Sequence, residues 1–390
     1  MGYTINLFQI PYWLSVCLSL LIISVNLVCS YYLSGKVKAY YELTKSPSQA
    51  IGKYSVYNRY VLNPLIILSI VSITLLLMLP FANELKSSHL LGRIIILLAA
   101  FVLASILAVG NRLFFQSIVS EIRETNESIF EYFKSIVRYY LITFISMTVL
   151  ILISSLAQNN SLGIYYDRNF IEIVIYSLGI TVFSLLFPLA FKTTLKASAM
   201  PENEESIEIK SFLMDSGVKN ATLFTWPTRN KRQAQALVTG YFKTNIFLSD
   251  YLMDHFSSEE IKAIVAHEIG HVKKRHLWYR LLYIWIAILL FYTLTKIMDI
   301  YSVSIFWGFV LLFICLAFVS LSALTFWRVQ EKQADQYVIY LGIEPEYLIS
   351  ALTKLGVLND SPLKLSYLDE KFQTHPSLHN RIRWIKEKLT

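Results

Sequence analysis

The sequence predicts a mainly α membrane protein: about seven transmembrane helices and a small α+β domain on the cytoplasmic side, split in two by a transmembrane hairpin. Three observations lead there. Of the 390 residues, 55% are hydrophobic and only 16% charged, and mean hydropathy is +0.49, which excludes an ordinary water-soluble enzyme. Long apolar runs recur along the chain. Lysine and arginine are distributed unequally among the segments between those runs.

Crossing the hydrocarbon core takes about 20 apolar residues in a helix. Residues 8–31, 61–81, 91–109, 136–156, 170–191, 277–298 and 303–327 meet that requirement. The first run lacks a basic start and a small-residue cleavage site, so it reads as a span and not a signal peptide. The loop after it carries Lys36, Lys38, Lys45, Lys53 and Arg59, and the loop after the third span carries Arg112, Arg123 and Lys134, with Arg138 just beyond. The opposite side holds only Lys86, Arg93 and Arg168. Basic residues stay in the cytoplasm, which puts the N-terminus outside and both long polar stretches, 192–276 and 328–390, inside.

The net charge of +8 therefore reports orientation in a bilayer. No basic cluster is interleaved with aromatics, so no nucleic-acid partner is expected. Cys17, Cys29 and Cys315 lie inside apolar runs and form no disulfide or cysteine-zinc pattern. Arg93, Glu172, Arg280 and Lys296 sit near span ends, where snorkelling accounts for them and a transport path is the weaker reading.

Polar sequence begins at Lys192, after Pro188, and Pro201 to Glu205 reads as an exposed linker into a helix. From Ala234 to Ser249 the pattern turns strand-like, with Gly240 where a hairpin would turn. The expected organisation is 1–192, five spans; 193–276, the first part of the polar domain; 277–327, a transmembrane hairpin; and 328–390, its second part.

The chemistry concentrates in Ser257-Ser-Glu-Glu-Ile-Lys-Ala-Ile-Val-Ala-His267-Glu268-Ile-Gly-His271. Ser257 and Glu260 form a capping-box pattern that starts a helix, and Ile261, Ile264, Val265 and Val272 recur at helical spacing to bury one face. On that helix His267 and His271 lie at i and i+4, where two imidazoles reach one ion, with Glu268 beside them to take a proton from a metal-bound water. A catalytic zinc ordinarily has three protein ligands. His276, at i+5 from His271, is rotated off the ligand face and reads with Lys273, Lys274 and Arg275 as an interfacial anchor. Downstream, Glu331 and Asp335 are one helical turn apart: Glu331 can ligate while Asp335 accepts a hydrogen bond from a ligand histidine.

These residues resemble the integral-membrane zinc metallopeptidases that include the CAAX prenyl endopeptidase and the HtpX protease. The resemblance rests on Val-Thr-Gly-Tyr-Phe, Ile-Phe-Leu-Ser-Asp-Tyr-Leu and Ala-His-Glu-Ile-Gly-His, then on Glu331-Lys-Gln-Ala-Asp335 and Thr374-His375-Pro376-Ser-Leu-x-x-Arg381-Ile. It implies a zincin-like (gluzincin) α+β metallopeptidase domain. It also implies one Zn2+ per chain on His267, His271 and Glu331, with Glu268 as general base and Asp335 behind a ligand histidine. His375 would stand near the cleavage site to stabilise the oxyanion, and Arg381 would support the site. Seven spans favour the CAAX-type branch. The family usually begins its substrate strand with asparagine, where this sequence has Gln235-Ala236-Leu237-Val-Thr-Gly. The implied partner is a peptide or protein substrate, prenylated or membrane-associated, reached at the lipid bilayer. The alternative is an HtpX-like quality-control protease. A signal sensor on the same fold would need an extracellular domain, and no predicted outer loop is long enough.

Overall fold

The computed structural model describes residues 11–78, 90–125, 127–138, 149, 168–362 and 364–387. The expected fourth span (136–156) falls largely outside them, as do the start of the first (8–10) and the end of the second (79–81). The chain divides into two compact units, Met1–Ile164 and Tyr165–Thr390.

In the first unit, α1 (Tyr12–Thr44), α3 (Asn63–Met78) and α4 (Leu90–Arg123) pack on one another. α2 (Pro47–Tyr57) is joined to α3 by a π turn at Asn58–Leu62, and residues 129–138 of α5 are helical. Where the sequence suggests a cytoplasmic loop after residue 31, α1 stays helical to Thr44. No proline interrupts that stretch, and Lys38 on its extension pairs with Glu121 at 2.8 Å. Between helices that bury apolar surface, buried amides act as pins: Asn26 donates to Ser69 at 2.9 Å, Asn111 donates to Asn26 at 2.8 Å, and Ser30 donates to Asn111.

The second unit begins with α6 (Arg168–Thr194). A four-stranded sheet follows, in the order β1 (Ser198–Ala199), β2 (Ala221–Trp226), β4 (Thr244–Ser249), β3 (Ala236–Thr239). β2 and β4 run parallel, while β1–β2 and β3–β4 are antiparallel. The hairpin expected around Gly240 is present. Gly240 has φ +99°, and a Cβ there would lie 2.0 Å from the Lys243 carbonyl oxygen, so only glycine makes this turn without strain. Helix α7 (Glu204–Asp215) precedes β2, and α8 (Asp250–His255) follows β4.

α9 (Ser258–Lys273) begins with the capping box read from the sequence: Ser257 accepts from the Glu260 N–H, and Glu260 accepts from the Ser257 N–H. Only one buried face was expected, yet α9 buries two. Ile261, Ile264, Val265 and Ile269 pack on the sheet residues Val238, Ile246 and Leu248. Ala263 and Ala266, small enough for close helix approach, pack on Val338, Leu348, Leu352 and Ile385. Those partners lie on α11 (Ile305–Tyr340), α12 (Pro345–Leu358) and α14 (Leu378–Glu387). A short α13 (Tyr367–Lys371) precedes α14.

The cap is also an anchor. Glu260 accepts from Ser350 and Lys354 on α12, each at 2.6 Å. Burial would raise its pKa, but the bonds from Lys354, Ser350 and the Ser257 N–H lower it below the usual value of 4.5. A depressed carboxylate contributes stability above its unfolded-state pKa and loses it as pH falls through the folded one. Glu260→Gln is expected to cost about 1–3 kcal/mol at neutral pH, with the deficit shrinking below about pH 4.5. Thermal midpoints of both proteins across pH check this.

Two residues after α9, α10 (His276–Ile300) begins, and α11 returns alongside it. Among the described residues, three helices are long and apolar enough to cross a membrane: Trp13–Thr44, His276–Ile300 and Val310–Tyr340. Trp285, Ile286, Leu289, Phe313, Ile314 and Phe318 on α10 and α11 are exposed, as lipid-facing side chains are. The chain is a membrane protein by this measure.

Candidate metal centre

α11 runs 36 residues without a break, about 54 Å at 1.5 Å per residue. A bilayer core is about 30 Å thick, so the helix is long enough to carry its last turns, with Glu331 and Asp335, clear of the hydrocarbon and back to α9. What lets it come close is Gly270. A Cβ there would stand 2.9 Å from the Cα of Ala334 and 3.1 Å from the Cβ of Tyr337. Glycine facing alanine brings the two backbones together and places Glu331 at His267 and His271. Gly270→Ala is expected to force α9 and α11 apart, to destabilise by about 1–3 kcal/mol, and to weaken metal binding along with it. A thermal midpoint and a metal-affinity measurement on the same sample check both effects.

Three ligand atoms converge. His267 Nε2 and His271 Nε2 are 3.3 Å apart, and each lies 3.5 Å from a Glu331 carboxylate oxygen. All three residues are buried. One ligand atom from each residue lies within 4.8 Å of the others, and with the carboxylate straddling the two imidazoles these spacings are close to the roughly 3.3–3.4 Å between ligands bound to zinc at about 2.0–2.1 Å in a tetrahedron. Two imidazoles and one carboxylate are also the donor set that suits zinc. The residues fit the ion.

The candidate ligand His267 is held from behind. His267 Nδ1 lies 2.9 Å from Asp335 Oδ1, and Arg381 clamps that carboxylate with two bonds, of 3.0 and 2.6 Å. Burial would depress the His267 pKa, and the Arg381 charge adds to that. The bonds to Asp335 and Glu331 outweigh both and raise it to about 9. A cation binding here therefore displaces a proton from His267. His271 goes the other way: burial, then the neighbouring His267, drive its pKa to about 2. The Arg381 pKa is raised by Asp335, against the burial that would lower it.

Glu268 does not join the triangle. Burial pushes its pKa up; His267 opposes the rise, Glu331 adds to it, and the backbone N–H of Val238 on β3 opposes it without cancelling it. Glu268 thus stands between the triangle and β3. Among the described residues that strand pairs only with β4, leaving its other edge without a strand partner. Ala236 and Leu237 are half-buried on β3. Gln235, just before it, is exposed, with its backbone N–H and C=O both engaged by Ser249. His375, 64% exposed, reaches in from the segment before α14, with Nδ1 2.9 Å from Glu331.

Two residues read otherwise in the sequence belong to this centre. Arg280, assigned to snorkelling, donates to Gln330 at 2.7 Å and lies 3.8 Å from Glu331. His276, assigned to an interfacial anchor, is 1% exposed and lies against His271. The sequence signal available was their spacing: in an antiparallel α10–α11 pair, positions 276 and 280 face 333 and 330.

Residues 206–389 match the model of peptidase family M48. Protease HtpX of Alcanivorax borkumensis is 31% identical over 140 residues, which are 33% of this chain and 45% of that protein. A Protease HtpX homolog of Helicobacter pylori is 27% identical over 182 residues, 40% of this chain and 57% of that one. The chain thus spans about half the length of these curated relatives. The crystal structure of S. mikatae Ste24p superposes with a TM-score of 0.58 over 94% of this chain and 98% of that one, at 16% identity. That likeness is one of fold.

Proposed function

From the match of residues 206–389 to the model of peptidase family M48, we propose that this chain is a membrane-embedded zinc metalloendopeptidase. The observation that carries the reading is the buried cluster of His267, His271 and Glu331, in which the two Nε2 atoms are 3.3 Å apart and each lies 3.5 Å from one of the two Glu331 carboxylate oxygens, a grouping suited to one Zn2+ per chain. Zinc bound there would polarise the scissile carbonyl and bring the pKa of its water to about 7.

The protein's own groups do the rest. Glu268 accepts the attacking water's proton and returns it to the leaving amine; its raised pKa makes that return easier. The substrate backbone adds to the open edge of β3 at Ala236, beside Glu268, with Gln235 and Leu237 flanking it while the backbone groups of Gln235 stay with Ser249. His375 donates to the developing oxyanion. Asp335, clamped by Arg381, holds His267 so that Nε2 faces the ion.

For the whole chain we propose seven spans with the N-terminus outside, and a cytoplasmic catalytic domain in two parts, 193–276 and 328–390, separated by the α10–α11 hairpin. The positive-inside count supports that orientation. The substrate class we propose is a peptide or protein presented at the bilayer, cleaved in the manner of the CAAX prenyl proteases; the fold likeness to Ste24p favours this. The sequence relatives named HtpX favour a second reading, quality control of membrane proteins, with the same chemistry.

Detergent-purified protein offered a farnesylated CAAX peptide, its unprenylated twin and casein separates the two. Preference for the farnesylated peptide supports the first reading, and cleavage of casein with indifference to the prenyl group supports the second. Cleavage surviving in Glu268→Ala contradicts both.

A further inference from the structure

His276 and His271 meet nitrogen to nitrogen, Nδ1 to Nδ1, at 2.8 Å. Such a contact needs one N–H donor and one bare acceptor, and either ring could supply either. The far side of His276 decides. Its Nε2 lies 2.9 Å from Gln333 Oε1, an oxygen that only accepts, so Nε2 carries the hydrogen. A neutral His276 is then bare at Nδ1 and accepts from the His271 Nδ1–H. His271 is left with its lone pair on Nε2, the atom that faces His267 and Glu331.

On this basis we infer that His276 is a positioning residue for the metal. With Gln333 behind it, His276 fixes both the tautomer and the ring plane of His271. The inference rests on the zinc reading above and names a role for a residue outside the ligand set.

The backbone explains how it gets there. In an unbroken helix, position 276 would point away from the His271 side chain. α9 instead ends at Lys273, and Arg275 adopts φ +55°, turning the chain so that the first residue of α10 comes back to His271. His276 is then buried against α11, where Gln333 meets it. His276 is not a fourth ligand, because it touches the ring nitrogen opposite the one that faces the triangle. The two ligand histidines are therefore held by different chemistry. His267 donates to the carboxylate of Asp335, whereas His271 donates to a neutral imidazole, which adds no further carboxylate to a cluster that already holds Glu331 and Asp335 with Glu268 beside them.

The test is zinc affinity by chelator competition on the purified full-length protein, together with the visible spectrum of the cobalt-substituted form. His276→Phe keeps the bulk and removes the acceptor; zinc affinity is expected to fall roughly 10- to 100-fold, with an altered cobalt spectrum. His276→Asn keeps an acceptor at the Nδ1 position and is expected to retain most of the affinity. Gln333→Leu leaves His276 in place but frees its tautomer, and is expected to give an intermediate loss, which keeps the inference testable if His276→Phe does not fold. A purely structural role would lower the thermal midpoint of the chelator-treated protein and leave affinity and spectrum unchanged in the folded fraction. That result, or equal losses in Phe and Asn, would overturn the inference. Wild-type protein that takes up no zinc would instead overturn the metal centre itself, and this role with it.

Discussion

Glu268→Gln is expected to slow peptide hydrolysis by about 10²- to 10⁴-fold while zinc content stays at the wild-type level. The substitution keeps size and removes only the ability to take a proton. Glu268 lies outside the ligand triangle, so losing its charge leaves all three ligands in place. Its carboxyl is pushed up by burial, and glutamine settles in that environment without the cost of a buried charge. Folding should therefore be unharmed, and a thermal midpoint at or above that of the wild type is expected. Metal analysis, hydrolysis rate and melting curve on one preparation separate this from a general loss of structure.

Glu331→Gln should act on metal and chemistry together. Glu331 is 1% exposed and touches His267, His271, His375 and Arg280. It is the one anionic ligand of the triangle and the point where α11 joins α9. A neutral amide gives zinc a much weaker third donor, so zinc content is expected to fall from about one per chain towards zero, and hydrolysis with it. The contrast is diagnostic: activity lost with metal retained at 268, and both lost at 331.

Much of this was legible in the chain itself. The i, i+4 histidines and the capping box put both imidazoles on one face of a helix, and α9 realises that pattern. The bounds of α10 and the start of α11 follow the apolar runs, because in a bilayer hydropathy and helix length are tied by thickness; the continuation of α11 past residue 327 to Tyr340 lies in polar sequence that hydropathy does not mark. Glu331 and Asp335 could be paired by spacing, but what joins them to α9 is the close approach at Gly270 and Ala334. A glycine in a helix gives no sign of which helix will lie across it. The place of His276 is hidden for a related reason: the i+5 spacing points it away from His271 only in a continuous helix, and a non-glycine residue at φ +55° leaves no mark in a Lys-Lys-Arg run. Arg280 shows the limit of reading depth from sequence. A charge near the end of a span can snorkel to water or turn inward to a carboxylate, and only the position of Glu331 on the neighbouring helix decides. The parallel pairing of β2 with β4 was equally hidden, since β3 lies between them in the chain.

On the proposed reading, His267, His271 and Glu331 hold one zinc on which peptide hydrolysis depends. The deciding experiment is to strip the protein with a chelator and titrate it with zinc while following hydrolysis of casein and of the farnesylated peptide. Activity should return in proportion to zinc and level off at about one ion per chain, with no return in Glu331→Gln. Hydrolysis that persists after stripping, or full zinc occupancy with no hydrolysis of either substrate, would contradict it.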